Sequence, residues 1–171
     1  MHKKSRHRSS KDALLNLNYD AYLTHCRWME YALELARIAG DLGEVPVGAV
    51  IVDRQGNIVA EAANRKVREQ DPIAHAEVVA IRTATKTIQN FYLKDCTLYV
   101  TLEPCPMCAG PIIHSRLGLL VYGADDPKTG AIRTVANLPD SYCSNHYLKV
   151  IAGIKETSCR QQLQNWFSHR R

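Results

Sequence analysis

No stretch of this 171-residue sequence is apolar over the roughly 18–20 residues that a membrane-spanning helix needs, so no membrane span is expected. The N-terminus has no apolar core of the kind a secretory signal carries. Cysteine is scarce. The six present (Cys26, Cys96, Cys105, Cys108, Cys143 and Cys159) are too few for a disulfide scaffold, so metal binding or plain burial is the expectation. Acidic residues are missing from residues 1–11, where Lys3, Lys4, Arg6, Arg8 and Lys11 stand with His2 and His7. A mitochondrial-type presequence does not fit, because Met1 is the only apolar residue before Ala13 and no amphipathic face can form. Internal repeats are absent, and low complexity is confined to that basic stretch. What remains is ordinary globular composition, 46% hydrophobic and 23% charged, which excludes a disordered or collagen-like chain. The length suits one domain with a real core, in a soluble, cytoplasmic protein.

The formal charge of +5 is local. Setting aside residues 1–11 and Arg170-Arg171 leaves 15 Lys and Arg against 17 Asp and Glu over residues 12–169, or −2. The basic stretch reads as a solvated arm or as a non-specific contact for nucleic acid. We therefore divide the chain into a basic, flexible arm over 1–18 and a folded domain over 19–171. Within that domain, helical periodicity runs from Asp20 to Ala39 and stops at Gly40 and Gly43. Val45–Val52 and Ile58–Ala63 read as strands joined through the turn Asp53-Arg54-Gln55-Gly56-Asn57. A helix is expected near 74–89, a buried strand at Thr97–Leu102 and a helix from Cys105 to about Ser115. Leu117–Tyr122 reads as a strand, Asp125–Pro139 as a long loop, Leu148–Ile151 as a short strand and 156–169 as a last helix. This alternation predicts an α/β fold, a sheet with helices on its faces.

Chemistry concentrates in two segments, Ala74-His75-Ala76-Glu77 and Glu103-Pro104-Cys105-Pro106-Met107-Cys108. Cys105 and Cys108 lie one helical turn apart at a helix start, where both sulfurs can face one point and the helix dipole favours thiolate. With His75 they form a nitrogen and two sulfurs, a donor set suited to tetrahedral zinc. Three protein ligands leave one position for water, which zinc acidifies towards neutrality. Glu77 is then placed to take that water's proton and pass it to a leaving amine. The competing reading is a closed structural zinc with a fourth ligand from His114, Cys96, Cys143 or Cys159, which leaves Glu77 without a role. H-x-E followed by P-C-x-x-C is the known signature of zinc deaminases.

The sequence resembles the bacterial tRNA-specific adenosine deaminases over roughly residues 22–171. The resemblance rests on Glu44-Val45-Pro46-Val47-Gly48-Ala49-Val50, Asn64-Arg65, Asp71-Pro72-Ile73-Ala74-His75-Ala76-Glu77 and Thr97 through Cys105. It continues through Met107-Cys108-Ala109-Gly110, Ile113-His114-Ser115-Arg116, Asp126-Pro127-Lys128-Thr129-Gly130-Ala131 and Asn145-His146. It implies a three-layer α/β/α cytidine-deaminase-like fold around a five-stranded mixed sheet. The activity it implies is hydrolytic deamination of adenosine to inosine at the wobble position of a tRNA anticodon loop, by a homodimer with one zinc per subunit. By the same resemblance His75, Cys105 and Cys108 match the zinc ligands and Glu77 the proton shuttle. Asn64 matches a base-recognising amide, and the backbone N–H groups of Ala76 and Cys105 become candidates to hold the reacting oxygen or the base.

An anticodon loop suits this chemistry, because its splayed bases can enter a pocket singly. Asp126 and Lys128 fall in a loop after a strand, where substrate contacts often lie, although a solvated turn explains them too. Phe167 beside Trp166, with Arg170 and Arg171, offers a stacking platform next to phosphate-binding charge. Packing of the last helix on the sheet accounts for the same aromatics. His114 and Arg116 suit either a dimer interface or RNA phosphate. Pro106 gives a Cys-Pro-Met-Cys spelling shared with free-base guanine and cytosine deaminases, Pro111 is unexpected, and residues 132–144 diverge from the branch. A free-base deaminase and a non-catalytic RNA-binding module with structural zinc are the two alternatives.

Overall fold

The computed structural model describes residues 10–170. Its elements in chain order are α1 (Ser10–Leu15), α2 (Tyr19–Asp41), β1 (Gly48–Val52), β2 (Ile58–Ala63) and α3 (Ala76–Thr87). They continue with β3 (Thr97–Leu102), α4 (Pro106–His114), β4 (Leu119–Ala124), β5 (Lys149–Ala152) and α5 (Glu156–Ser168). The five strands form one mixed sheet in the order β2-β1-β3-β4-β5. β1 runs antiparallel to β2 and β3, whereas β3, β4 and β5 run parallel. Alternation along the strands sends their side chains into two cores. Ala49, Ile51, Leu98, Val100, Leu120 and Tyr122 pack with Ala76, Ala80, Ala84, Ala109 and Ile112 of α3 and α4. Val50, Val52, Tyr99 and Val121 pack instead with Met29 and Ala32 of α2 and Cys159 of α5. The result is three layers, α2 and α5 on one face and α3 and α4 on the other.

Local chemistry explains the element ends. Asn18 Oδ1 accepts the Ala21 N–H at 2.8 Å and caps α2. The helix runs through Gly40 and ends only where Gly43 takes φ 89°. β1 begins at Gly48 rather than Val45, because Pro46 has no N–H and the Val47 N–H turns back to Val45 O at 2.8 Å. Gly48 is required there: a Cβ would lie 2.1 Å from Ala32 O of α2. β4 starts at Leu119 rather than Leu117, since the Leu117 and Gly118 N–H groups go to Ile112 O and Leu93 O. Helix α1 falls in the stretch read as an arm; Ala13, Leu14 and Leu17 pack on the second core. Pro111 sits inside α4. No helix among the described residues is long and apolar enough to cross a membrane.

Candidate active site

Two helices begin at the same place. His75 is the N-cap of α3 and Cys105 the N-cap of α4, both with extended backbone and neither using its side chain as a cap. Their side chains are thereby left to face each other, and Cys108 joins them from the first turn of α4. Pro106 opens α4, where a missing N–H costs nothing. The distances are 3.8 Å from Cys105 Sγ to His75 Nδ1, 3.5 Å from Cys108 Sγ to His75 Nδ1 and 3.6 Å between the sulfurs. Bonds of about 2.3 Å to sulfur and about 2.0 Å to nitrogen around a tetrahedral zinc require edges of about 3.8 and about 3.6 Å. The donor triangle fits a zinc ion.

Among the described residues no other His, Cys, Asp or Glu joins this group. Cys96 and Cys159 lie buried in the two cores, while Cys143 and His114 are exposed. A closed site built on any of these four finds no support, and the fourth position stays available.

Electrostatics agree with a metal-binding pair. The neighbouring Cys108 thiol and the His75 ring hold the Cys105 thiol down to about 4, against the desolvation that opposes it. Pairing with Cys105 and burial push Cys108 well above the usual thiol range. The same Cys105 sulfur raises the His75 imidazole. Glu77, in the first turn of α3, is buried, and that burial raises its carboxyl above the usual carboxylate range.

Asn64 closes the site from the end of β2. It is buried, and its Oδ1 accepts the Ala76 N–H at 3.0 Å. The Ala76 N–H, read from the sequence as a candidate for the reacting oxygen or the base, is therefore spent on Asn64. Asn64 Nδ2 is left as a group that can donate to a base, and Oδ1 keeps a second lone pair.

The remaining candidates are arranged differently. Asp126 Oδ1 accepts the Lys128 N–H at 2.9 Å and the Thr129 N–H at 3.2 Å, and Oδ2 accepts Thr129 Oγ1–H at 2.6 Å. Burial works against its charge, yet these bonds hold the carboxyl below its ordinary value. Asp126 so organises its own turn, and Lys128 stands exposed on it. Trp166 packs α5 on α2, its Nε1–H donating to Gly40 O at 3.2 Å. The Arg170 guanidinium lies 4.0 Å over the Trp166 ring, and Phe167 is half exposed beside it. No described contact joins Phe167 or Arg170 to the His75–Cys105–Cys108 group, and Arg171 lies outside the described residues.

Two buried carboxylates beside the site were given no role in the sequence reading. Glu44 and Glu103 are each 1% exposed. Glu44 accepts the N–H groups of Val67 and Arg68, which follow Asn64. Glu103 accepts a larger set from the segment after β4. The available signal was an acid in an otherwise apolar stretch, flanked by glycine and proline at Glu44 and followed by Pro104 at Glu103.

The profile of the cytidine and deoxycytidylate deaminase zinc-binding region matches residues 23–124. A tRNA-specific adenosine deaminase of Haemophilus influenzae is 52% identical over 145 residues, which is 85% of this chain and 84% of the relative. A solved structure from work on A-to-I editing by tRNA:A34 deaminases at the wobble position superposes with a TM-score of 0.77 at 40% identity. That match covers 80% of this chain and 98% of the other. Guanine deaminase from Bacillus subtilis, also 40% identical, reaches a TM-score of 0.55 over 64% of this chain and 66% of its own. The two helix starts that bring His75 to Cys105 and Cys108 lie, with Glu77, inside the matched region, and the chain belongs to the tRNA-specific adenosine deaminases of the cytidine and deoxycytidylate deaminase zinc-binding family.

Proposed function

We propose that this chain deaminates the wobble adenosine of a tRNA anticodon loop to inosine, with water entering and ammonia leaving. The observation that carries this reading is the donor triangle of His75, Cys105 and Cys108 at two helix N-termini, beside the buried Glu77. His75 Nδ1, Cys105 Sγ and Cys108 Sγ would hold a zinc ion, which when bound would lower the pKa of a water towards neutrality. Glu77, buried in the first turn of α3, takes a proton from the attacking water and delivers it to the departing 6-amino nitrogen. Asn64 Nδ2 donates to a ring nitrogen of the purine and orients the base. Lys128, Phe167, Arg170 and Arg171 serve the RNA beyond the base, Lys128 and the two arginines on phosphate and Phe167 by stacking. Asp126 supports Lys128 through its turn.

We further propose a homodimer in the cytoplasm, a compartment that suits a tRNA substrate and six unpaired cysteines. Sedimentation at micromolar concentration checks the dimer. The domain proper we place over 19–171.

Incubation with an anticodon stem-loop carrying adenosine at the wobble position, in parallel with free adenosine, adenine, guanine and cytosine, tests the activity. Inosine in the stem-loop is expected. Turnover of free bases alone overturns the reading in favour of a free-base deaminase, a group that shares the Cys-Pro-Met-Cys spelling.

A further inference from the structure

Glu103 lies two residues before Cys105, and its carboxylate is buried with both oxygens filled. Oε1 accepts the N–H groups of Ile132, Arg133 and Thr134 at 3.1, 2.8 and 3.0 Å. Oε2 accepts the Asp126 N–H at 3.1 Å and the Thr134 hydroxyl. None of the described ion pairs includes Glu103, so peptide dipoles rather than a cation satisfy its charge. Two further bonds hold the same segment in register. Glu103 N–H donates to Ala124 O at 2.8 Å, and Ala131 N–H donates to Pro104 O at 2.9 Å. Gly130 lies so close that a Cβ there would meet Glu103 Oε2 at 2.3 Å.

We propose that Glu103 is a positioning residue for substrate binding: it sets the segment Asp126–Thr134, and Lys128 on it, against the turn that carries Cys105 and Cys108. The segment leaves β4 as turns: Gly130 N–H donates to Asp126 O at 3.0 Å and the Asp126 side chain closes 126–129, whereas Ile132, Arg133 and Thr134 give their N–H groups to Glu103. One carboxylate gathers five donors from residues 126–134 and ties them to the strand end that places the metal ligands. This inference rests on the deaminase reading above.

Glu103→Gln puts an amide NH2 where N–H donors converge. In that variant we expect zinc to stay at one per chain, KM for the wobble-adenosine stem-loop to rise about tenfold, and kcat to stay within about threefold. Amide exchange should quicken at Asp126, Ile132, Arg133 and Thr134 while Leu98–Thr101 stays protected. Thr134→Val removes one donor and keeps the carboxylate, so KM should rise less, in the same direction; if Glu103→Gln does not fold, Thr134→Val decides alone. Unchanged KM in the folded variants, or a loss confined to kcat, overturns the proposal. A wild-type chain that makes no inosine refutes instead the reading on which it rests.

Discussion

Glu77 is an acid held where its charge is penalised. Its side chain is buried and its carboxyl raised, beside three groups that would hold zinc. Replacing it with Gln keeps the shape and removes the proton carrier. We expect Glu77→Gln to bind zinc normally and lose about 10³-fold in kcat, read by inosine formation and metal analysis. A second buried group reports on stability. His25 Nδ1 lies 2.9 Å from Tyr99 Oη, burial lowers the imidazole, and burial raises the Tyr99 hydroxyl. Burial thus favours a neutral ring paired with the Tyr99 hydroxyl. Because the folded value lies below the unfolded one, the unfolded chain binds the extra proton first, and stability falls as pH drops below about 6.5. His25→Asn should lose less stability than the wild type between pH 7.5 and 5.5 in urea unfolding; an equal loss would remove His25 from the acid response. At this scale the ligand types were legible from the sequence. The use of Ala76 N–H by Asn64 was not, since it depends on where β2 ends relative to α3.

At the scale of elements, the site exists because two helices start where strands stop. The extended N-cap residues His75 and Cys105 turn their side chains out of the helix, and the helix dipoles favour the thiolate there. Their depth depends on how closely α2 presses on the other face of the sheet. Gly48 permits that approach, and a Cβ would lie 2.6 Å from Ala36 N as well. Gly48→Ala should cost about 3 kcal/mol, measured by urea denaturation, because backbone rather than a mobile side chain must move. The hairpin turn, β2, β3 and α5 were readable from periodicity and breakers. The starts of β1 and β4 were not, because Val47, Leu117 and Gly118 give their N–H groups to Val45, Ile112 and Leu93 rather than to a neighbouring strand.

At the scale of the whole molecule, the zinc group staples the β2–α3 unit to the β3–α4 unit. Chelation should therefore lower the thermal midpoint by several degrees and restore it on zinc addition, seen by calorimetry. The charge is distributed just as unevenly, with the excess at the termini. Removing residues 1–9, which carry Lys3, Lys4, Arg6 and Arg8, should weaken stem-loop binding modestly and flatten its salt dependence. An unchanged salt slope would leave that stretch without a part in binding.

The candidate ligands could be read along the chain. Residue types and the spacing of Cys105 and Cys108 within one helical turn are local, and local patterns survive in one dimension. A sheet with helices on its faces was equally legible, since alternating strand and helix periods leave few ways to bury both, and the three-layer class came with the family resemblance. Tertiary structure alone decided what lies between distant positions: it brings His75 to a cysteine 30 positions away and assigns Asp126 to its own turn. It also recruits Glu103 to donors up to 31 positions further on. Such contacts depend on the strand order, with β1 between β2 and β3, and on the packing of helices over both faces of the sheet. No spacing rule along the chain encodes them.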